Sequence, residues 1–544
     1  MAVSSASSRV FGFISVLLLV TLLTACGSSS SGGASAGVET LLFYTQEDTA
    51  TGETSLYAVD PAMPEQSMEV HQGLGQQVGT NFPMVRAVVT GAYSDHVLHD
   101  AHKGMVVFAG EDGHLYRVST SPEKPGADDD APEPVRFSSE SVADELCRLT
   151  IIPDYAEVEA SLVMYSLPDT DNTCGDGTSY ATLANMPVSG APVSVDAFDH
   201  DGVFHDPDTG QLRNLVRLNT DPVSYGIEAF DVDSLSWEAV DSFTYNPNAS
   251  HSLFATDGPG GELLIRQHAI SGTTFYLYKP DNEMLDSVSD EAGVDTYAAV
   301  SGSSLFAMEH AFFIISSSPS SGLYIASLDE YESAIESSIN PADLSGVASP
   351  NLMIYGNDHI AWSYQTGTDS DWVLESVSIA DQSVNELHVT DGPVSSNVVR
   401  ADITSAGWFY FAESDNNPAQ PETVQAVNVG EGDDSLISLD GEVVGNTWYP
   451  REQAPGRQAH RILIYDNGQV MSLDATAPEG EALEHGDFPS DLEPRRSYSF
   501  APAMFVFASR SGGGDDLVMV DTQQADSLVR ITDTDDQVYP IVGF

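Results

Sequence analysis

The sequence predicts an all-β protein, on three observations. Short apolar runs bounded by Gly, Asp, Asn, Ser and Pro recur along the chain, helical spacing of apolar residues is nearly missing, and a two-strand unit returns about every 51 residues. The clearest hairpins pair Met105-Val106-Val107-Phe108 with Leu115-Tyr116-Arg117-Val118 across Asp112-Gly113, and Ile462-Leu463-Ile464-Tyr465 with Val470-Met471-Ser472-Leu473 across Asn467-Gly468. Asp-Gly and Asn-Gly supply the positive φ angles that a tight hairpin needs.

The first strands of the unit begin near Leu41, Met105, Leu162, Leu212, Leu263, Phe312, Ile360, Trp408, Ile462 and Met504, which makes ten candidate repeats. Many second strands close on an aspartate after alternating apolar residues, as in Leu56-Tyr57-Ala58-Val59-Asp60, Leu473-Asp474 and Val518-Met519-Val520-Asp521. Short strands flank most hairpins, such as 251–255 before the fifth unit and 527–531 after the tenth. Four strands per unit make a propeller blade. Residues 39–544 are therefore expected to form a β-propeller of four-stranded antiparallel blades, a single ring of seven to ten. The first unit has no leading strand and 538–542 is left over at the end, so this last strand is expected to complete the first blade and close the ring.

The architecture and the Leu-Tyr-x-apolar-Asp phrase resemble the bacterial β-propellers typified by the TolB C-terminal domain, and more loosely the WD40 repeats, although no Trp-Asp dipeptide is present. That resemblance implies a non-catalytic docking ring for an envelope protein or cell-wall component. The competing expectation is a hydrolase or lyase acting on an envelope or environmental polymer, with its site in the central funnel. Carboxylates are so abundant that none stands out as an acid and base pair, and the non-enzyme reading is preferred.

Residues 1–25 read as a secretory leader. Arg9 precedes an apolar run from Val10 to Leu23, too short to span a bilayer as a helix, and the run ends at Leu23-Thr24-Ala25-Cys26. These four residues resemble the lipobox of bacterial lipoproteins, which implies cleavage before Cys26 and lipid on its sulfur. Residues 26–38, almost all Gly, Ser and Ala, read as a flexible tether. Gly27 instead of Asp after the cysteine implies, by the same resemblance, an outer-membrane lipoprotein on the periplasmic face, surface exposure being the other orientation.

Nineteen basic residues stand against 82 acidic ones, a net charge of −63, and only Lys103, Lys124 and Lys279 are lysines. Such a surface repels nucleic acid and anionic lipid, so no nucleic-acid partner is expected and membrane contact is through the lipid alone. The acids are spread along the whole chain, as in proteins of salt-loving bacteria, where screening shortens the reach of repulsion from about 10 Å at 0.1 M to about 3 Å at 1 M. The melting temperature is accordingly expected to rise from low to molar NaCl; a flat or falling calorimetric curve would refute the halophile reading.

With Cys26 lipidated, Cys147 and Cys174 are expected to pair as a disulfide, worth roughly 3 kcal/mol on the chain-entropy model, two buried thiols being the alternative. His96, His99 and His102 would gather imidazoles on one side of a helical turn and suit a transition metal. They would equally serve as hydrogen-bonding struts, since His102, His310 and His460 each precede a strand. Asp169, Asp171, Asn172 and Asp176 set oxygens before Gly177 loosely as a calcium loop does, without the EF-hand spacing; the alternative is an acidic loop braced by Cys174. No cofactor is expected, with calcium as the alternative that this loop offers. Trp362, Trp372, Trp408 and Trp448 fall in the seventh to ninth units, where they would either line a binding rim or pack between blades.

Overall fold

In the first, second and seventh to tenth sheets in chain order, successive side chains along the strands pack on two different neighbouring sheets, and this double burial governs the architecture. The computed structural model describes residues 41–541 apart from many connecting segments, the longest being 90–103, 121–130, 153–161, 184–192, 279–303, 340–352, 390–402, 414–422 and 444–460; residues 1–40 and 542–544 also lie outside the described residues. The chain divides into residues 1–37 and 38–544. Among the described residues are ten antiparallel sheets of three or four strands and one parallel pairing, Gln76–Gln77 with Glu145–Leu146. The helical element among them is a single 3-10 turn, Gly432–Ser435, and no helix is long and apolar enough to cross a membrane.

The sheets are meanders, numbered here in chain order. The second runs Val85–Val89, Gly104–Ala109, Leu115–Ser119, Val135–Arg136; the seventh runs Met353–Gly356, His359–Gln365, Trp372–Ser378, Val384–Val389. Each of the ten strand starts read from the sequence lies within two residues of the start of a strand in a separate sheet. The first sheet takes its leading strand from the other end of the chain. Gln537–Ile541 pairs antiparallel with Leu42–Glu47, from Phe43 opposite Ile541 to Glu47 opposite Gln537, and Thr54–Val59 and Ser67–Gln72 follow.

Side chains alternate across a strand. In the second sheet Val106 and Phe108 pack on Phe43, Leu56 and Ala58 of the first, while Met105 and Val107 pack on Leu149, Val163 and Tyr165 of the third. In the seventh, Ile360 and Trp362 meet Phe312 and Ile325 of the sixth, while Ala361 and Leu374 meet Phe409, Phe411 and Val427 of the eighth. Tyr410 and Ala426 then meet Ile464 and Leu473 of the ninth, and Leu463 and Val470 meet Val518 and Val520 of the tenth. Finally Leu517 of the tenth sheet packs with Tyr44, Val59 and Val538 of the first. Each fully buried side chain of this kind contributes roughly 1.5–3 kcal/mol. Burial on both faces also explains why runs such as Gly104–Ala109 are continuously apolar where a half-exposed antiparallel strand would alternate.

Two repeated details shape the sheet ends. The outer strands of the first, seventh and ninth sheets each carry an extra residue, Val70, Leu387 and His485, at the same register shift against the strand before, and all three are buried. Such bulges bend and twist an edge strand. The recurring aspartate is a turn-former: Asp474 Oδ1 accepts the Thr476 amide at 2.9 Å, and Asp521 Oδ1 accepts that of Gln523 at 2.9 Å.

Candidate functional site

A group of chemically versatile side chains forms where the crossover from the first sheet meets the Asp112-Gly113 hairpin of the second. Backbone bonds weld the two: Gly75 N donates to Ala109 O at 2.8 Å, and Glu111 N donates to Gly73 O at 2.8 Å. The turn needs its glycines. Gly113 has φ +78, and a Cβ on Gly110 would lie 2.7 Å from Asp112 Oδ1 and 2.9 Å from the Tyr116 ring.

Asp112 is the hub. Its Oδ1 accepts the His114 amide at 3.0 Å and its Oδ2 accepts the Tyr116 hydroxyl at 2.6 Å. His114 Nδ1 stands 3.2 Å from Oδ2, at ion-pairing distance when the ring is protonated but not aligned as a hydrogen bond. His71, from the outer strand of the first sheet, lies against Phe108 and Tyr116 with ring centroids 5.0 and 4.9 Å away. Burial pushes the His71 pKa down, partly offset by the Asp112 carboxylate. Burial works to raise that of Asp112, but the bonds from Tyr116 and His114 outweigh it and hold the carboxyl below its ordinary range. Burial, then the bond to Asp112, pushes Tyr116 up to about 12. Near neutral pH the cluster therefore presents a neutral imidazole, a fixed carboxylate and a bound phenol, with Glu111 exposed alongside. These are groups that can orient a polar or cationic ligand.

The residues singled out from the sequence are distributed differently. Cys26, His96, His99, His102, Asp169, Asp171, Asn172, Asp176 and Trp448 lie outside the described residues. Cys147 and Cys174 stand at disulfide distance, their Cα atoms 5.4 Å apart. Trp362 is wholly buried between the sixth and seventh sheets and Trp372 is buried as well, so neither offers an open stacking face. Trp408 is partly buried against the Tyr410, Ala426 and Leu439 cluster. Trp362 and Trp408 thus take part in sheet packing.

His71 escaped the sequence reading, although a signal for it exists. Glu69-Val70-His71 and Glu386-Leu387-His388 repeat the same phrase at the same bulge, and His388 lies 5.2 Å from Phe411 of the eighth sheet just as His71 meets Phe108 of the second.

No family model matches the sequence, and no curated protein matches it. Among solved structures, TolB from Acinetobacter baumannii is similar at 11% identity over 62% of this chain and 75% of its own, with a TM-score of 0.25. Oligopeptidase B from Leishmania major is similar at 9% identity over 79% of this chain and 54% of its own, with a TM-score of 0.37. An oligogalacturonate lyase in complex with manganese is similar at 10% identity over 63% of this chain and 97% of its own, with a TM-score of 0.31. The chain spans about half the length of the oligopeptidase. Likenesses this distant carry neither activity nor ligand across.

Proposed function

We propose that this chain is a lipid-anchored β-propeller of the bacterial outer membrane, acting as a docking scaffold for an envelope protein or cell-wall component. One observation carries the reading: sheet packs on sheet in chain order from the sixth to the tenth, the tenth on the first, and the first through to the third, with the C-terminal strand inside the first sheet. This succession supports a single ring of ten blades. Sheet faces consumed in blade packing are not available for recognition, which leaves the turns and crossovers at the sheet ends. Those ends are acidic and held by local backbone bonds, a pre-organised polar rim of which the His71, Glu111 and Asp112 group is the best-formed part. The Leu23-Thr24-Ala25-Cys26 phrase supports the anchor.

Crosslinking followed by pull-down from intact envelopes tests this with three chains: wild type, Cys26→Ser and Glu111→Lys. Specific partners are expected with the wild type, to vanish with Cys26→Ser, and to fall at least several-fold with Glu111→Lys. Equal recovery with all three chains would overturn the anchored-rim reading.

A further inference from the structure

Glu375 occupies the position beside the outer-strand bulge that holds Tyr57 in the first sheet, Met471 in the ninth and a second glutamate, Glu228, in the fourth. Beside the outer-strand bulge, Tyr57 is opposite Glu69 in the first sheet and Met471 opposite Glu484 in the ninth, but in the seventh Glu375 is opposite Glu386. Glu375 shares its strand face with Val373 and Val377, which pack on the sixth sheet beside Phe312, Ile325 and Trp362, and it is 5% exposed. One carboxyl oxygen accepts the Tyr364 hydroxyl at 2.9 Å. Among the described residues the other has no hydrogen-bond partner, and neither does Nε1 of Trp362, the residue directly across from Glu375 in the ladder.

Among the described residues, the strands of the sixth and seventh sheets hold no Lys or Arg. On its own sheet the ionisable groups facing Glu375 are Tyr364 and the exposed Glu386. On the sixth sheet, His310 shares the strand face of Phe312, and its Nδ1 is buried without a partner; Leu323 and Ile325 are apolar. A buried carboxylate with one unsatisfied oxygen and an acidic neighbour is costly, whereas the neutral acid in the same place loses only a hydrogen bond.

We propose that Glu375 is a proton-operated latch on the seam between the sixth and seventh sheets: as the neutral acid it lets the seam close over it, and as the carboxylate it loosens the seam. Burial pushes its pKa up to about 7, against the lowering bond from Tyr364 and with a further rise from Glu386. Burial, then the neighbouring Glu375, likewise raises the Tyr364 hydroxyl above the ordinary phenol range, so it stays a donor throughout. An exposed, unfolded glutamate releases its proton near 4.5, so the folded chain holds an extra proton between there and about 7. Seam stability therefore falls as pH rises through that window and stays low above it. The scaffold would be stiff in mildly acid surroundings and looser in alkaline ones.

Hydrogen exchange on the full chain in molar NaCl, corrected for intrinsic rates, tests the latch. From pH 5.5 to 8.5 the amides of His359–Gln365 and Trp372–Ser378 are expected to lose roughly tenfold or more in protection, while Arg461–Asp466 and Gln469–Asp474 of the ninth sheet do not. Glu375→Gln should stay protected across the range. Tyr364→Phe, which removes the bond that lowers the Glu375 pKa, should move the midpoint to higher pH. A flat wild-type profile, an equal loss in Glu375→Gln, or an unmoved midpoint in Tyr364→Phe would each overturn the proposal.

Discussion

Removal of residues 537–544 is expected to abolish the cooperative unfolding transition and drive the chain into soluble aggregates. The deletion takes away the strand that fills the first sheet, and with it five paired positions against Leu42–Glu47. Val538, fully buried with Tyr44, Val59 and Leu517, is lost too, at a cost of roughly 1.5–3 kcal/mol. Ladder hydrogen bonds add about 1 kcal/mol each. The Asp536 carboxylate, which accepts from Gln46 Nε2 at 2.8 Å and from the Thr49 amide at 3.1 Å, holds the returning chain in place only while the strand beyond it is docked. Together these approach the 5–15 kcal/mol on which a folded domain typically subsists. The exposed edge of Leu42–Glu47 would then be free to pair with another copy. Calorimetry and size-exclusion chromatography read both effects. A truncated chain that stays monodisperse and melts within a few degrees of wild type would show that the C-terminal strand is dispensable.

Much of this fold was legible because strand alternation and turn chemistry are local. Asp112-Gly113 marks a real hairpin because Gly113 takes φ +78, and the phrase ending at Asp474 marks a strand end because that carboxylate caps the following turn. The pairing of 537–541 with the first hairpin was legible too, by counting strands. What stayed hidden depends on which sheet meets which. His71 and Asp112 come together only because the crossover at Gly73 lies on the second sheet's turn, and neither residue's own neighbours say so. Glu375 looked like one more acid among 82; its burial and its bond from Tyr364 depend on how the seventh sheet meets the sixth. The tryptophans illustrate a different gap. A strand buried on both faces and a strand ending in a binding rim can carry the same Ala-Trp-Ser-Tyr letters.

Trp362 separates those two readings by experiment. Trp362→Ala is expected to cost roughly 3–5 kcal/mol, because the side chain is fully enclosed by Phe312, Ile325, Val373 and Val377, and two packed sheets cannot collapse freely into the space. Trp362→Phe should behave quite differently. It keeps most of the apolar surface and the aromatic contact to Tyr364, whose ring centroid is 4.7 Å away, and it removes a buried Nε1 donor that has no partner. The lost packing and the relieved desolvation oppose each other, each on the order of 1–2 kcal/mol, so the net change should fall within about 1 kcal/mol of wild type. Denaturant midpoints for the two variants give the answer directly. A surface tryptophan would yield the opposite pattern, little loss of stability with either substitution, because truncating an exposed ring removes no enclosed contact. A large loss for alanine beside near-neutrality for phenylalanine would assign the residue to the seam, and with it the hydrophobic wall against which Glu375 holds its proton.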